Sequence, residues 1–138
     1  MAKESGLGMT MSVDDSGGTQ RALTNDVTDV KWEMSSDVQD TTGIDKSAHE
    51  RLLLLADFSI TLNGVFNDAA TTSSFAVFKD YRTLASSQVG RTTTMVHSGQ
   101  TLANEVLYDH FDFTRGSDGS LTWESGGGVS DGTVPVWS

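Results

Sequence analysis

The chain has 138 residues, no cysteine and a formal net charge of −10. This length fits one domain with its own hydrophobic core, and the absence of cysteine excludes a disulfide framework and thiolate metal sites. The 19 acidic and nine basic side chains argue against general binding to a nucleic-acid backbone. The acidity is explained equally well by solubility or by a surface that must not adhere to nucleic acid.

The composition also limits targeting. The N-terminus has no apolar segment of the kind a signal peptide requires, and the longest apolar run is shorter than the ~20 residues that span a bilayer. We therefore expect a soluble protein that is used without secretion. Serine, threonine and glycine are abundant, which favours many short strands joined by small-residue turns.

The first third of the chain predicts two strands. Residues 1–6 are expected to be a flexible lead, and apolar residues then alternate from Leu7 to Val13. A turn is predicted at residues 14–18, and alternation resumes from Val27 to Met34. The apolar face of this second strand consists of Val30, Trp32 and Met34, and the charged face of Asp29, Lys31 and Glu33.

The stretch from Ala48 to Phe66 has the highest apolar density and is predicted to be the central strand. Ser47 and Glu50 form a capping-box pattern, which predicts a short helical or turn-like entry. The run Leu52–Ala56 follows, after which Phe58, Ile60 and Leu62 alternate with polar residues. Polar loops are expected on both sides, at residues 35–46 and 67–74.

One helix is predicted, from Ser74 to Leu84. Phe75, Phe78 and Tyr81 recur at helical spacing, and a serine or threonine at positions 72–74 is available as the N-cap. We expect this aromatic stripe to cover one side of the sheet.

The last third returns to strands. Residues 91–97 and 102–115 are predicted strands. In the second strand, the apolar residues change from one face to the other, which requires either that both faces are covered or that a bulge lies near Asp109–His110. A hairpin turn is predicted at residues 116–120, followed by a strand at residues 121–124 and a glycine-rich loop at residues 125–132. The apolar end, residues 134–137, contains Pro135, which favours an edge or an extended arm.

No pattern indicates catalysis, a cofactor or a metal. His49, His97 and His110 fall in different elements, and no zinc-protease, calcium-loop or phosphate-loop spacing is present. Asp109 and Asp112 point to opposite faces of a regular strand, so they converge on an ion only across a bulge. We expect a protein that is not an enzyme.

Apolar alternation near both termini suggests self-assembly. Such segments need a covering partner, either in the same fold or on a neighbouring copy, and the sequence leaves both open.

Several segments occur in an order and at a spacing that are informative together: Asp45–Leu52, Ala56–Ser59, Gly64–Asn67, Val96–Gln100 and Asp118–Trp123. Their order resembles that in the tail tube proteins of long-tailed, siphovirus-like bacteriophages, and most of all that in the small major tail proteins of phages that infect actinobacteria. The resemblance covers residues 25–138.

The resemblance implies a mainly β, two-sheet sandwich or barrel-like fold with one flanking helix and extended terminal arms or loops, formed by residues 1–138 as one domain. It implies homohexameric rings that stack into a tube in the virion tail, made in the bacterial cytoplasm. The implied partners are further copies, the tape measure protein and tail terminator or tip proteins, with no membrane. Double-stranded DNA would pass through the lumen without specific binding.

Two sets of surface residues follow from this resemblance. The charged strand faces are candidates for the lumen: Asp29, Lys31, Glu33, Glu105 and Asp109. Loops and terminal arms supply candidates for contacts between subunits or rings: Leu7, Met9, Met11, Asp37, Asp40, Asp45, Asn67, Asp68 and Trp137.

Other classes remain open. A head decoration or head–tail joining protein would share the acidic, cysteine-free β pattern but would form trimers or discrete rings. A carbohydrate-binding sandwich would need exposed aromatic side chains, for which Trp123 and Trp137 are the candidates. An enzyme ranks last.

Overall fold

The computed structural model describes residues 3–70, 72–86 and 88–138 and consists mainly of antiparallel strands. Two residues of the expected flexible lead, 1 and 2, lie outside the described residues. The strands are β1 (Thr10–Asp14), β2 (Gln20–Ala22), β3 (Val27–Asp40), β4 (Arg51–Val65), β5 (Arg91–His97), β6 (Gln100–Arg115) and β7 (Leu121–Val129). A short helix, α1 (Ser74–Phe78), follows β4.

The strands form one sheet in the order β2-β1-β5-β6-β7-β4-β3. β1 and β3 are five places apart, which in a flat sheet means about 24 Å. Nevertheless, Met9 and Met11 line the same cleft as Val30 and Trp32 of β3. The sheet therefore curls until its two ends approach each other, as the predicted sandwich or barrel-like fold requires.

The core lies inside this curl. Phe58, Ile60 and Leu62 of β4 are almost completely buried, as their alternation predicts. Each such side chain stabilises the fold by about 1.5–3 kcal/mol relative to exposure. The other buried apolar residues are Met11, Val13, Leu23, Val77, Phe78, Met95, Leu102, Val106, Tyr108 and Trp123.

Helix α1 is where the sequence predicts it but ends at Phe78, so the predicted extension to Leu84 is wrong. Ser73 is the N-cap and accepts a hydrogen bond from the Ala76 N–H at 3.0 Å. Beyond Phe78 the Tyr81 N–H donates to the Phe78 carbonyl and the Thr83 N–H to the Asp80 carbonyl, three residues back instead of four. The buried Arg91 guanidinium donates to the carbonyl oxygens of Val77, Asp80 and Thr83 in this segment. The chain then follows tighter three-residue turns.

The aromatic face of α1 packs on the sheet as predicted. The Phe78 ring centroid lies 5.0 Å from that of Tyr108 and 5.4 Å from that of Trp123. Phe75 contacts Phe111 and Phe113 of β6 at 6.4 and 6.2 Å. The helix therefore closes one side of the core.

Three local predictions around the central stretch hold only in part. Residues 35–40 continue β3, so that the predicted loop is confined to residues 41–46. Residues 47–50 form no helix and enter β4 through a bend at residues 47–48, the turn-like form of the prediction. The leucine run at residues 52–55 belongs to β4 but is exposed instead of packed by flanking segments. The physical reason is that β3 and β4 remain paired with each other after β7 has ended, because Ser59 is the last β4 residue opposite β7.

Of the predictions for the two chain ends, that for the N-terminal strand is wrong in its start. β1 starts at Thr10, and Leu7 is 87% exposed, so the predicted strand began three residues too early. The C-terminal end forms only an isolated bridge between Trp137 and Leu102.

The predicted glycine loop at residues 125–132 is wrong, because β7 extends through Gly126–Gly128 to Val129. A Cβ at Gly127 would overlap the Leu107 carbonyl oxygen, and one at Gly126 would overlap that of Ile60. Glycine lets the neighbouring strands approach closely here. The predicted bulge is confirmed, since the β6–β7 register shifts between Tyr108 and His110.

Candidate assembly surfaces

The distal parts of β3 and β4, with the ten residues between them, form a projecting hairpin (residues 35–55). Every residue of the projecting hairpin is exposed. Its strands pair with each other, for example Val38 with Leu53 and Asp40 with Arg51, and the other described strands do not pair with it. It therefore extends beyond the rest of the sheet.

The β4 strand of the projecting hairpin is apolar on both of its faces. Leu52, Leu53, Leu54 and Leu55 are 53, 71, 47 and 84% exposed, respectively. Because neighbouring residues of a strand point to opposite faces, four consecutive leucines supply apolar surface to both. Strands that are apolar on both faces are normally covered on both faces. Within the described residues, this cover is missing.

The end of the projecting hairpin is organised by its own polar contacts. The Thr41 N–H donates to the Glu50 carbonyl at 2.9 Å, and the Glu50 N–H donates to the Thr42 hydroxyl at 2.8 Å. Hydrogen bonds from the Thr42 hydroxyl and then the Thr42 N–H hold the pKa of Asp40 below its usual value. These hydrogen bonds fix the conformation of the hairpin end, and Asp40, a predicted interface residue, takes part in them.

A second apolar surface lies at the base of β3. We call it the tryptophan groove, a cleft of about 300 Å³ lined by Met9, Trp32, His97, Ser98, Gln100 and Trp137. The Trp32 and Trp137 ring centroids are 6.3 Å apart, with planes at 60°. Trp137 is held there because Ser138 and Thr101 exchange two backbone hydrogen bonds of 2.8 Å.

The structure separates the interface residues predicted from sequence. Asp37, Asp40 and Asp45 lie on the projecting hairpin, while Met9 and Trp137 line the tryptophan groove. Leu7 and Asp68 are exposed but belong to neither surface. Met11 is 3% exposed and packs in the core, and half-buried Asn67 donates to Asp26 at 2.8 Å. Met11 therefore contributes no accessible surface.

The face of the sheet opposite the core carries charged side chains beside the exposed Leu107 and Val65. The register places four of the five residues predicted for a lumen on this face: Asp29, Lys31 and Glu33 on β3, and Glu105 on β6. The fifth, Asp109, is the bulge residue of β6 and contacts His110, which lies on the same face. We call this face the polar face. Glu105 is half-buried and accepts a hydrogen bond from the Thr92 hydroxyl. Lys31 pairs with Glu33 at 2.8 Å, so the one lysine of this set is neutralised by its neighbour.

The bulge in β6 brings further charges to the polar face. His110 Nδ1 lies 2.6 Å from Asp109, and His110 Nε2 lies 3.4 Å from Glu124 of β7. Partial burial opposes protonation, but the hydrogen bond and charge of Asp109, with Glu124 and Asp112, outweigh it and raise the pKa of His110. Among the described residues, no group of three or more histidine, cysteine, aspartate or glutamate side chains is arranged to hold a metal ion.

The carbohydrate-binding alternative loses one of its two aromatic candidates. Trp123 is 2% exposed and packs against Phe78 and Phe111, so its ring is not available to a sugar. In the part of the chain that the structure describes, no helix has the length and apolar character needed to cross a membrane.

The sequence prediction missed the main features of both apolar surfaces. It assigned the leucine run to the central strand, with flanking segments packed on it, and Trp32 to an ordinary amphipathic strand. A signal was nevertheless present, because four consecutive leucines break the alternation that a half-buried strand shows.

No protein-family model matches the chain. No curated protein sequence matches it either. Solved structures do. A chain from the tail of an empty gene transfer agent particle, determined by helical refinement with C6 symmetry, has a TM-score of 0.71 and 17% identity, with 99% of each chain covered. A chain from the virion of a native gene transfer agent particle has a TM-score of 0.70 and 13% identity, again with 99% of each covered. The protein thus shares, over its whole length, the fold of chains found in gene transfer agent particles, one of them from the tail.

Proposed function

We propose that this protein is a structural subunit of a phage-like tail, which self-assembles into stacked, hexameric rings that form a tube. The fold shared with a chain of a C6-symmetric tail supports this proposal. The actinobacteriophage type rests on the sequence segments alone. In this role the protein is non-catalytic, is located in the virion after synthesis in the host cytoplasm, and contacts tape measure and tail terminator or tip proteins.

The observation that carries the proposal is the projecting hairpin. Its leucines are exposed on both faces, although burial of one leucine stabilises a protein by about 1.5–3 kcal/mol. Exposed apolar patches of this kind mark interaction sites. A hairpin that must be covered on two faces needs two covering surfaces. A subunit of a stacked tube has them, because it has neighbours in its own ring and in the next ring.

The open sheet edge agrees with this role. β3 is the end strand of the sheet, so the 14-residue edge facing away from β4 has no strand partner among the described residues. Long open edges promote uncontrolled pairing with other chains. In a ring, pairing with the neighbouring subunit closes this edge.

In the assembled tube, the polar face lines the lumen. Its acidic side chains, Asp29, Glu33, Glu105, Asp109, Asp112 and Glu124, outnumber Lys31 and His110. Phosphate groups bind through clustered basic side chains, which this face lacks. DNA would therefore move past without adhering.

The test is negative-stain electron microscopy of the purified protein over a concentration series. We expect rings or hollow tubes with a central channel. Trimers or discrete rings that never stack, even with a tail-tip initiator complex present, would contradict the tube and favour a head decoration or joining protein.

A further inference from the structure

We propose that the tryptophan groove of one copy receives the projecting hairpin of a second copy. This inference rests on the proposed function and names the two surfaces that meet. Its basis is that the molecule carries an uncovered apolar ribbon and, elsewhere, an uncovered apolar groove.

The projecting hairpin is large enough to form one side of a stable interface. Specific protein–protein interfaces involve roughly 20–30 residues a side. All 21 residues of the projecting hairpin, 35–55, are exposed, and its most exposed large apolar side chains are Ile44, Leu53 and Leu55. The number of exposed residues is therefore that of one side of a standard interface.

The tryptophan groove matches the hairpin in chemistry. Trp32, Trp137 and Met9 supply its apolar lining, and Trp137 remains 39% exposed. Tryptophan is enriched among the residues that dominate interface energies. The apolar surface continues from the groove along β3 to Met34, which is 45% exposed. A bound hairpin would cover this continuous surface.

The occupant must come from a second copy. Trp32 lies opposite Ile60, and Val38 lies opposite Leu53 further along the same β3–β4 ladder. Trp32 and Val38 are six positions apart along β3, which corresponds to about 20 Å. The hairpin would have to fold back and break this ladder to reach its own groove.

The contact therefore joins two different patches. Such a heterologous contact leaves one free hairpin and one free groove in every dimer, so it continues to a closed ring or an open filament. A two-fold dimer of the same patch would stop after two copies.

The absence of cysteine in the natural chain allows a direct test. The hairpin variant is Leu53→Cys, the groove variant is Gln100→Cys, and the control is Thr114→Cys, which is exposed at the far end of β6. Circular dichroism checks that each variant folds. The variants are mixed in pairs under assembly conditions and treated with a short bismaleimide crosslinker.

We expect the Leu53→Cys and Gln100→Cys mixture to give a crosslinked dimer at least tenfold more abundant than Leu53→Cys with Thr114→Cys. The double variant should give a ladder of multimers. Leu55→Cys repeats the experiment at a second hairpin position. Equal crosslinking to Thr114→Cys, or efficient crosslinking of Leu53→Cys with itself, would overturn the inference.

The assembly assay separates the two possible failures. Rings or tubes without hairpin-to-groove crosslinks would overturn this inference and leave the proposed function standing. A protein that sediments as a monomer under every condition, with an initiator complex included, would overturn both.

Discussion

Gly64 of β4 lies directly opposite Trp123 of β7, and a Cβ at Gly64 would be 2.6 Å from the indole ring. The Trp123 indole N–H donates to the Val65 carbonyl at 3.2 Å, which fixes the ring in this place. The largest buried side chain of the core is therefore seated against a position that has no side chain.

Replacement of Gly64 by alanine should destabilise the fold. The added methyl group would overlap the Asp26 carbonyl oxygen and press on Trp123. Overpacking of this kind costs about 1–3 kcal/mol. Urea denaturation of Gly64→Ala measures the loss, and Gly6→Ala is the matched control, because nothing lies within 4 Å of a Cβ there. Equal stability of both variants would contradict the packing described.

Arg91→Lys should also destabilise the protein. The Arg91 side chain is fully buried and donates to the carbonyl oxygens of Val77, Asp80 and Thr83. A lysine ammonium cannot reproduce the planar fork, so we expect a loss of about 3 kcal/mol in the free energy of unfolding. Arg82 is exposed, so Arg82→Lys is the control: it makes the same arginine-to-lysine change on the surface. A loss below about 0.5 kcal/mol, the usual size of a surface effect, would argue against this role.

The stability contributed by His110 should depend on pH. Its pKa is raised, so the charged form is favoured in the folded state. This contribution is fully present below the unfolded value, about 6.5, and is lost as the pH rises through the higher folded value. His110→Asn should therefore destabilise the protein more at a pH of about 5.5 than at about 9.

Urea denaturation at both pH values checks this prediction. Asp109→Asn removes the partner 2.6 Å from His110 Nδ1 and should reduce the pH dependence. An equal effect of His110→Asn at both pH values would rule out the electrostatic origin.

Charge reversal on the polar face should make the assembly bind DNA. Glu33→Lys combined with Asp109→Lys places two cations on the surface proposed to line the lumen. We expect assembly to remain intact, release of DNA to slow, and a short DNA duplex to bind at low salt but not at high salt. Fluorescence anisotropy measures the binding.

The control for this experiment is Glu4→Lys with Asp131→Lys, two exposed positions outside the polar face that give the same change in net charge. Equal DNA binding by both double variants would show an effect of net charge alone. Unchanged DNA binding and normal infectivity of the Glu33→Lys and Asp109→Lys variant would remove the lumen assignment.

Regular patterns in the sequence predicted much of the core. The alternation of Phe58, Ile60 and Leu62 and the aromatic spacing of Phe75 and Phe78 both pack as predicted, because each reflects one buried face of one element. The bulge at Asp109–His110 was also predictable, since the parity of apolar residues changes there.

What the sequence did not reveal depends on distant partners. The leucines at residues 52–55 were expected in a central, packed strand, because apolar density alone does not distinguish burial inside a molecule from burial between molecules. The carbonyl oxygens at and after the end of α1 are bonded by Arg91, which is 13 residues beyond the end of the helix. The tryptophan groove forms only when the C-terminal bridge brings Trp137 next to Trp32.

The most direct test of the central claim is the effect of two hairpin charges on assembly. Leu53→Asp with Leu55→Asp changes two side chains that are 71 and 84% exposed, so the fold itself should keep its melting temperature within about 2 °C. Negative-stain electron microscopy at matched concentrations should show rings or tubes for the natural protein and only dispersed subunits for the variant. Assembly of the variant to the same extent would contradict self-assembly through the projecting hairpin.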